Sequence, residues 1–384
     1  MMVKNKVFLP QLAWLRAFAA LAVVVYHIRR ALAPSYTGAD AVVDPSWLRA
    51  IDFGDFGVLL FFVLSGATLY LNHQDFDEKN RLSHFFTKRF FRVWPAFAFS
   101  LIIYLGFNSF FASWYTISPQ GHWVEAHIDN SYTISDILHY LSFTFNITGP
   151  YGKFNAVYWS LPIEFQYYLV FPLLILSLRY MKLAGPILLA AIIYGMLHTT
   201  VREFVDNAWT LMLAYTFCAG VWLGYLYKHV FSSIRLSPIT GFIMSVLILV
   251  LLSILNQTYD NFPAWVQSLP IIGIKTNMFG VFACILVGVV LFTNFQSLRA
   301  NRLTDSLEFL GEISYSIYLY HSLFICLSVA LLLHIDITGY WVKLLTFFTI
   351  TLLGTLLISW LSYIGIERPS IKLAKKLTGK NRYE

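Results

Sequence analysis

Charge is what this chain has least of: Asp, Glu, Lys and Arg make up 12% of its 384 residues, against 58% hydrophobic and 18% aromatic. Soluble domains carry about 25% charged residues, so the composition excludes a water-soluble globule and points to a polytopic membrane protein. Acidic residues are the scarcer sign, 20 against 27 basic ones, for a net charge of +7. Cysteine is nearly absent. Cys218, Cys284 and Cys326 each fall inside an apolar run, with no Cys-x-x-Cys spacing, so they read as packing residues and no metal site is expected. There is no glycine-rich phosphate loop and no low-complexity tract.

What the chain does contain is a series of apolar stretches of about twenty residues, enough to cross ~30 Å of hydrocarbon as helices. They fall near 11–33, 55–72, 92–112, 158–178, 184–200, 209–228, 238–256, 272–293, 309–333 and 342–364. The expected fold is therefore all-α, with about ten transmembrane helices in residues 1–370 and a basic tail over 371–384. The first stretch contains Arg16, has no small-residue cleavage site after it and is too long for a signal peptide, so it is expected to be retained. With the N-terminus inside, nineteen Lys and Arg fall on the cytoplasmic side and seven on the other, which predicts cytoplasmic termini. The tail after Glu367 then reads as an anchor to anionic lipid headgroups, and no nucleic-acid partner is expected.

Ionisable residues inside an apolar span are costly and seldom accidental. The first span carries two, Arg16 and His27. Eleven residues at about 100° each bring both side chains onto one helix face, ~16 Å apart along the axis. The longest non-spanning piece, 113–157, is rich in aromatic and polar residues such as Trp114, His122, Trp123, His127, Tyr132 and Tyr140. It is a candidate acceptor platform, with an interfacial aromatic belt as the alternative reading.

Six blocks occur in an order that resembles a known family. Trp14-Leu15-Arg16-Ala17-Phe18 with His27 is similar to the Arg-x10-His signature of acyltransferase family 3, bacterial integral-membrane enzymes that O-acylate cell-surface glycans. Gly57 to Gly66 resembles its Phe-Phe-Val-Leu-Ser-Gly block, and Lys88 to Pro95 its Arg-x-x-Arg-x-x-Pro block. Tyr158 to Tyr168 resembles the Trp-Ser-Leu-x-x-Glu block, Gly311 to His321 the Ser-Tyr-x-x-Tyr-x-x-His block, and Glu367-Arg368-Pro369 the closing Glu-x-Pro. Ala17, Ala67 and Pro162 depart mildly from the usual pattern; Pro162 lies in the first turn of its helix, where proline is tolerated. Some relatives carry a further extracytoplasmic esterase-like domain. Only about twenty residues follow the tenth predicted span here, so a separate protein is expected to perform any second transfer.

The resemblance implies an O-acetyltransferase of the bacterial cytoplasmic (inner) membrane. Its donor would be acetyl-CoA or another acyl-CoA, with no permanently bound cofactor, and its acceptor a surface glycan, such as lipopolysaccharide, or a lipid-linked precursor. Counting ~1.5 Å per residue puts His27 ~8 Å and Glu164 ~9 Å from the outer surface, with Ser65 and His321 nearer the midplane. Arg16, Arg89 and Arg92 fall toward the inner face, where guanidinium forks suit donor phosphates.

His27 is the expected general base on the acceptor hydroxyl, Glu164 its orienting partner or an acceptor ligand, and His321 an oxyanion donor or second acid–base group. Ser65 is either an acyl relay or a packing residue beside Gly66. Blander readings stand beside these: snorkelling for Arg16, positive-inside bias for Arg89 and Arg92, and helix bridging for His321. A transporter or exporter of glycans or small acids is the rival function, weakened by the lack of an internal repeat. Homodimerisation is an open alternative.

Overall fold

Backbone that crosses hydrocarbon must satisfy its own hydrogen bonds, and apolar runs of this length do so as helices. The computed structural model describes residues 9–32, 50–73, 81–115, 131–147, 153–182, 184–185, 209–267, 275–295, 301–334 and 339–379. Among these the architecture is helical, with no strand beyond a single parallel bridge between Leu236 and Thr293. In chain order come α1 (Pro10–Leu32), α2 (Gly54–His73), α3 (Arg81–Tyr115), the short α4 (Ile134–Leu141) and a 3-10 turn (Ala156–Trp159). They are followed by α5 (Ser160–Met181), α6 (Trp209–Tyr225), α7 (Pro238–Thr258), α8 (Lys275–Phe292) and α9 (Arg302–Glu312). The chain ends with α10 (Ser314–His334), α11 (Tyr340–Ser362), a π-turn (Tyr363–Glu367) and α12 (Arg368–Leu377).

Eight helical segments among the described residues are long and apolar enough to cross a membrane, where ten spans were expected. The expected span at 209–228 is α6, 17 residues long, which runs on into a π-turn over Leu226–Val230. The one at 184–200 lies outside the described residues except for 184 and 185.

Two boundaries differ from the sequence reading. The third span does not open at Arg92: α3 begins at Arg81 and is 35 residues long, or ~52 Å at 1.5 Å per residue, well beyond ~30 Å of hydrocarbon. Its basic first turns are hydrophilic but fully helical, and hydropathy alone does not detect such turns. At the other end, α11 continues through the π-turn into α12, so the expected tail over 371–384 is helix as far as Leu377. Glu367, Ala374 and Thr378 are buried there.

The contacts divide the chain into two compact units. The first comprises Met1–Ala22, Arg49–Glu78 and Gln166–Glu312. Within it α2 and α6 meet backbone to backbone, because Gly66 faces the Phe217 carbonyl and Gly220 the Val63 carbonyl, each so closely that a Cβ would overlap the oxygen. Small residues at helix seams are the usual means of packing where lipid removes the hydrophobic drive. In α7, Ile239, Phe242, Leu247 and Ile254 are all more than half exposed, as expected of side chains that face lipid.

The second unit comprises Val23–Leu48, Lys79–Phe165 and Ile313–Glu384. Here α10 lies along α11, joined by Ser328 to Thr351 (2.9 Å) and Tyr320 to Ser362 (3.2 Å). The segment around α4 is an aromatic knot. Tyr140 stacks on Phe145 at 3.9 Å and donates to the Lys153 carbonyl, while Trp94 Nε1 donates to the Leu141 carbonyl. Phe143 and Phe154 take left-handed φ values of 55° and 61°, at about 1–3 kcal/mol each. Both rings are nearly fully buried, worth about 1.5–3 kcal/mol apiece, which offsets that strain.

A reciprocal capping box between Thr133 and Asp136 starts α4. The Thr133 backbone N–H donates to Asp136 Oδ2, and Lys153 Nζ donates to the same oxygen at 2.9 Å. Those two donors hold the Asp136 carboxyl below the usual carboxylate range. Tyr140 is thus a core residue, while Tyr132 is 40% exposed. His122, Trp123 and His127 of the expected acceptor platform lie outside the described residues, as does the side chain of Trp114.

Candidate active site

The second unit brings two of the expected residues into contact. His27, near the end of α1, packs its imidazole on that of His321 in α10, with ring centroids 5.1 Å apart and planes 40° apart. His321 is fully buried and His27 half-buried. Tyr26 meets the His27 ring edge-on at 5.0 Å, and Tyr318 lies tilted against the His321 ring at 5.8 Å.

His321 Nδ1 lies 2.8 Å from the Tyr318 carbonyl and 3.2 Å from the Ile317 carbonyl. A carbonyl only accepts, so Nδ1 carries a proton and donates it to these carbonyls. With Nδ1 engaged by its own helix, either role expected of His321, oxyanion donor or second acid–base group, runs through Nε2.

Glu164 sits half-buried in α5, one turn after Ser160 on the same face. Ser160 hydrogen-bonds Tyr318 Oη at 2.7 Å, and Tyr318 donates to the Val157 carbonyl at 2.6 Å. The start of α5 is therefore tied to α10 one turn before His321. Farther along the unit, Arg92 and Glu367 form an ion pair in which the Glu367 side chain is wholly buried and that of Arg92 is 30% exposed. Ser316 Oγ donates to the other Glu367 oxygen at 3.0 Å, so the basic block and the closing Glu-Arg-Pro block are one structural element. Arg89 holds its guanidinium 6.0 Å from the Phe85 ring.

The remaining expected residues belong to the first unit. Arg16 Nη2 donates to Thr68 Oγ1 at 2.9 Å, and Asn72 Nδ2 fixes the Thr68 carbonyl at 2.9 Å. Ser65 is buried and donates to Tyr168 Oη at 3.5 Å, beside Gly66 in the α2–α6 seam. Among the described residues no group of three or more His, Cys, Asp or Glu is disposed to hold a metal.

The sequence profile of the acyltransferase-3 domain matches residues 9–364. The chain belongs to the acyltransferase-3 family. Among relatives of this acyltransferase, nodulation protein 10 of Rhizobium leguminosarum bv. viciae is 24% identical over 391 residues, covering 95% of this chain and 94% of that protein. The peptidoglycan O-acetyltransferase OatA of Listeria monocytogenes is 27% identical over 198 residues, half of this chain and 28% of its own length. Acyltransferase MdmB of Streptomyces mycarofaciens is 33% identical over 165 residues, 43% of this chain and 38% of that protein. The chain thus spans well under two thirds of OatA and MdmB. No solved structure gives a significant match.

Sequence reasoning missed several polar residues around the histidine pair of this family member. Asn155 is fully buried and accepts from Ser322 Oγ at 2.7 Å; Tyr104 Oη meets the same Ser322 oxygen at 2.5 Å. Ser100 and Tyr158 hydrogen-bond at 2.8 Å nearby. The available signal was a run of hydroxyls at Ser314, Ser316, Ser322 and Ser328 within an apolar helix, where each needs a partner.

Proposed function

We propose that this protein is a membrane O-acyltransferase that moves an acetyl group from cytoplasmic acetyl-CoA to a hydroxyl of an extracytoplasmic envelope glycan or its lipid-linked precursor. The observation that carries the reading is the His27–His321 contact: two signature blocks from opposite ends of an acyltransferase-3 chain supply adjoining imidazoles. His27 takes the proton of the acceptor hydroxyl as its oxygen attacks the thioester carbonyl. The C–S bond then breaks and the proton passes to the departing thiolate, leaving an ester and free CoA. Nε2 of His321 is the adjoining acceptor through which the imidazole pair shares that proton. Glu164 orients the acceptor or supports the imidazolium.

Arg16 and Arg89 are assigned to the donor phosphates, with Arg92 contributing whatever reach its Glu367 pair leaves it. Ser65, tied to Tyr168 in a tight seam, is assigned to packing. In this reading the protein sits in the cytoplasmic membrane with both termini inside and α12 at the inner headgroups, which the exposed Lys372, Lys375, Lys376, Leu373 and Leu377 support.

The test is mass spectrometry of the host's surface glycan from cells carrying wild-type protein, His27→Ala or Glu164→Ala. An acetyl mass increment present with wild type and absent with a membrane-inserted His27→Ala variant is expected. An increment that persists in that variant would remove His27 as the base. A change in the amount of glycan without any change in mass would favour an exporter.

A further inference from the structure

His321 is bonded to its own helix: Nδ1 is engaged by the carbonyls of Ile317 and Tyr318, so the imidazole follows the backbone of α10 wherever residues 317–322 are placed. That segment is gripped by the short stretch 155–160. Asn155 Nδ2 donates to the Leu319 carbonyl at 3.4 Å, and Ser322 donates to Asn155 Oδ1 at 2.7 Å. Tyr318 is bound from the same stretch by Val157 and Ser160.

We propose that Asn155 is a positioning residue for His321, setting the place of its imidazole against His27; the proposal rests on the acyl-transfer reading above. Asn155 is suited to this because it is itself immobilised. It is fully buried, and its Oδ1 accepts from the Val157 N–H at 3.2 Å, which caps the 3-10 turn. Two residues earlier, Lys153 is fixed by Asp136 and the Ser131 carbonyl. The α4 knot therefore fixes Lys153, Lys153 fixes the approach to Asn155, and Asn155 fixes the α10 turn that bears the imidazole.

An amide is the side chain this place requires. It donates to one main-chain carbonyl while accepting from a hydroxyl and a backbone N–H. Aspartate keeps both acceptor contacts but turns an oxygen toward the Leu319 carbonyl, and leucine makes none of the three. Ser322 completes the grip: its proton is committed to Asn155, so Tyr104 donates to Ser322. A displacement of about 1 Å at a catalytic group can cost up to about a hundredfold in rate, so loss of this grip should be read in turnover and not in donor affinity.

The experiment uses membrane vesicles carrying the full chain and the host's own acceptor, with radiolabelled acetyl-CoA as the probe. Acetyl incorporation is measured for wild type, Asn155→Asp and Ser322→Ala per unit of folded protein, counted by size exclusion of a fluorescent fusion. The expected result is a fall in kcat of about tenfold to a hundredfold in both variants, with KM for acetyl-CoA within about twofold of wild type. Equal kcat in wild type and both variants, or a rise in KM alone, overturns the proposal. Should Asn155→Asp fail to fold, Ser322→Ala decides by the same criterion. Vesicles in which wild type incorporates no label would instead overturn the acyl-transfer reading, and the proposal with it.

Discussion

The Arg92–Glu367 pair predicts an asymmetry that a simple surface salt bridge would not show. Glu367 has a wholly buried side chain, with Arg92 and Ser316 on its two oxygens, whereas the Arg92 side chain is 30% exposed. Arg92→Gln removes the cation and leaves a buried carboxylate that retains only Ser316 among those two partners. An uncompensated buried charge costs about 3–5 kcal/mol. Glu367→Gln leaves the charge on the partner that already reaches solvent, and the amide oxygen can still accept from Ser316. That loss is closer to that of one charged hydrogen bond, about 1.5–3 kcal/mol. The double variant carries no stranded charge and should be more stable than Arg92→Gln alone.

The assay is denaturant unfolding in mixed micelles for the four proteins of the double-mutant cycle, followed by the fluorescence of the native tryptophans. The expected order of stability is wild type, then Glu367→Gln, then the double variant, then Arg92→Gln, which requires a coupling larger than the Glu367→Gln loss itself, about 2–4 kcal/mol. Additive effects, or a double variant less stable than Arg92→Gln, would refute the burial argument and release Arg92 to act as a donor-binding cation.

Three further outcomes follow from the same structure. Replacing either His27 or His321 by Ala should lower acetyl transfer by about 10²–10⁴-fold, and the double replacement should cost little more than the worse single one; radiolabelled acetyl-CoA assays on the four proteins would check this. Gly220→Leu places side-chain atoms on the Val63 carbonyl and should destabilise the α2–α6 seam by about 1–3 kcal/mol or more, read as a lower midpoint in the same unfolding assay. Because Asp136 is held below its ordinary value of 3.8, the stabilising effect of its contacts is complete above about that pH and is lost as pH falls through the lowered value. Hydrogen exchange of the α4 amides should accelerate over that acidic window and, at neutral pH, in Asp136→Asn.

The sequence could expose only those features whose cost is visible in one residue at a time. An imidazole at position 27 and a guanidinium at 16 stand out because an apolar run makes any ionisable group conspicuous, and helical periodicity placed most of the spans. Arg16, Arg89 and Arg92 had to be assigned alike, since each was only a cation near an expected membrane face. What separates Arg92 is a carboxylate 275 positions away, delivered to it through the π-turn at Tyr363–Glu367. Nothing in a hydropathy pattern marks that turn. The start of α3 at Arg81 escaped for a related reason: basic first turns depress hydropathy without breaking the helix.

Asn155, Ser322 and Tyr104 were illegible on different grounds. Each is uncharged, each is common in membrane helices and loops, and each acquires meaning only from the others. A buried amide or hydroxyl is tolerated where its partners are present and costs about 1–3 kcal/mol where they are missing, so such groups come as sets. The residues whose chemistry suggests a reaction were therefore visible singly. Those proposed to hold the reacting groups in place became visible only when the fold had collected 104, 155 and 322 around the turn that carries His321. The same logic ranks the experiments: a histidine variant tests what the site does, and an Asn155 or Ser322 variant tests whether this protein has built a scaffold specific to doing it.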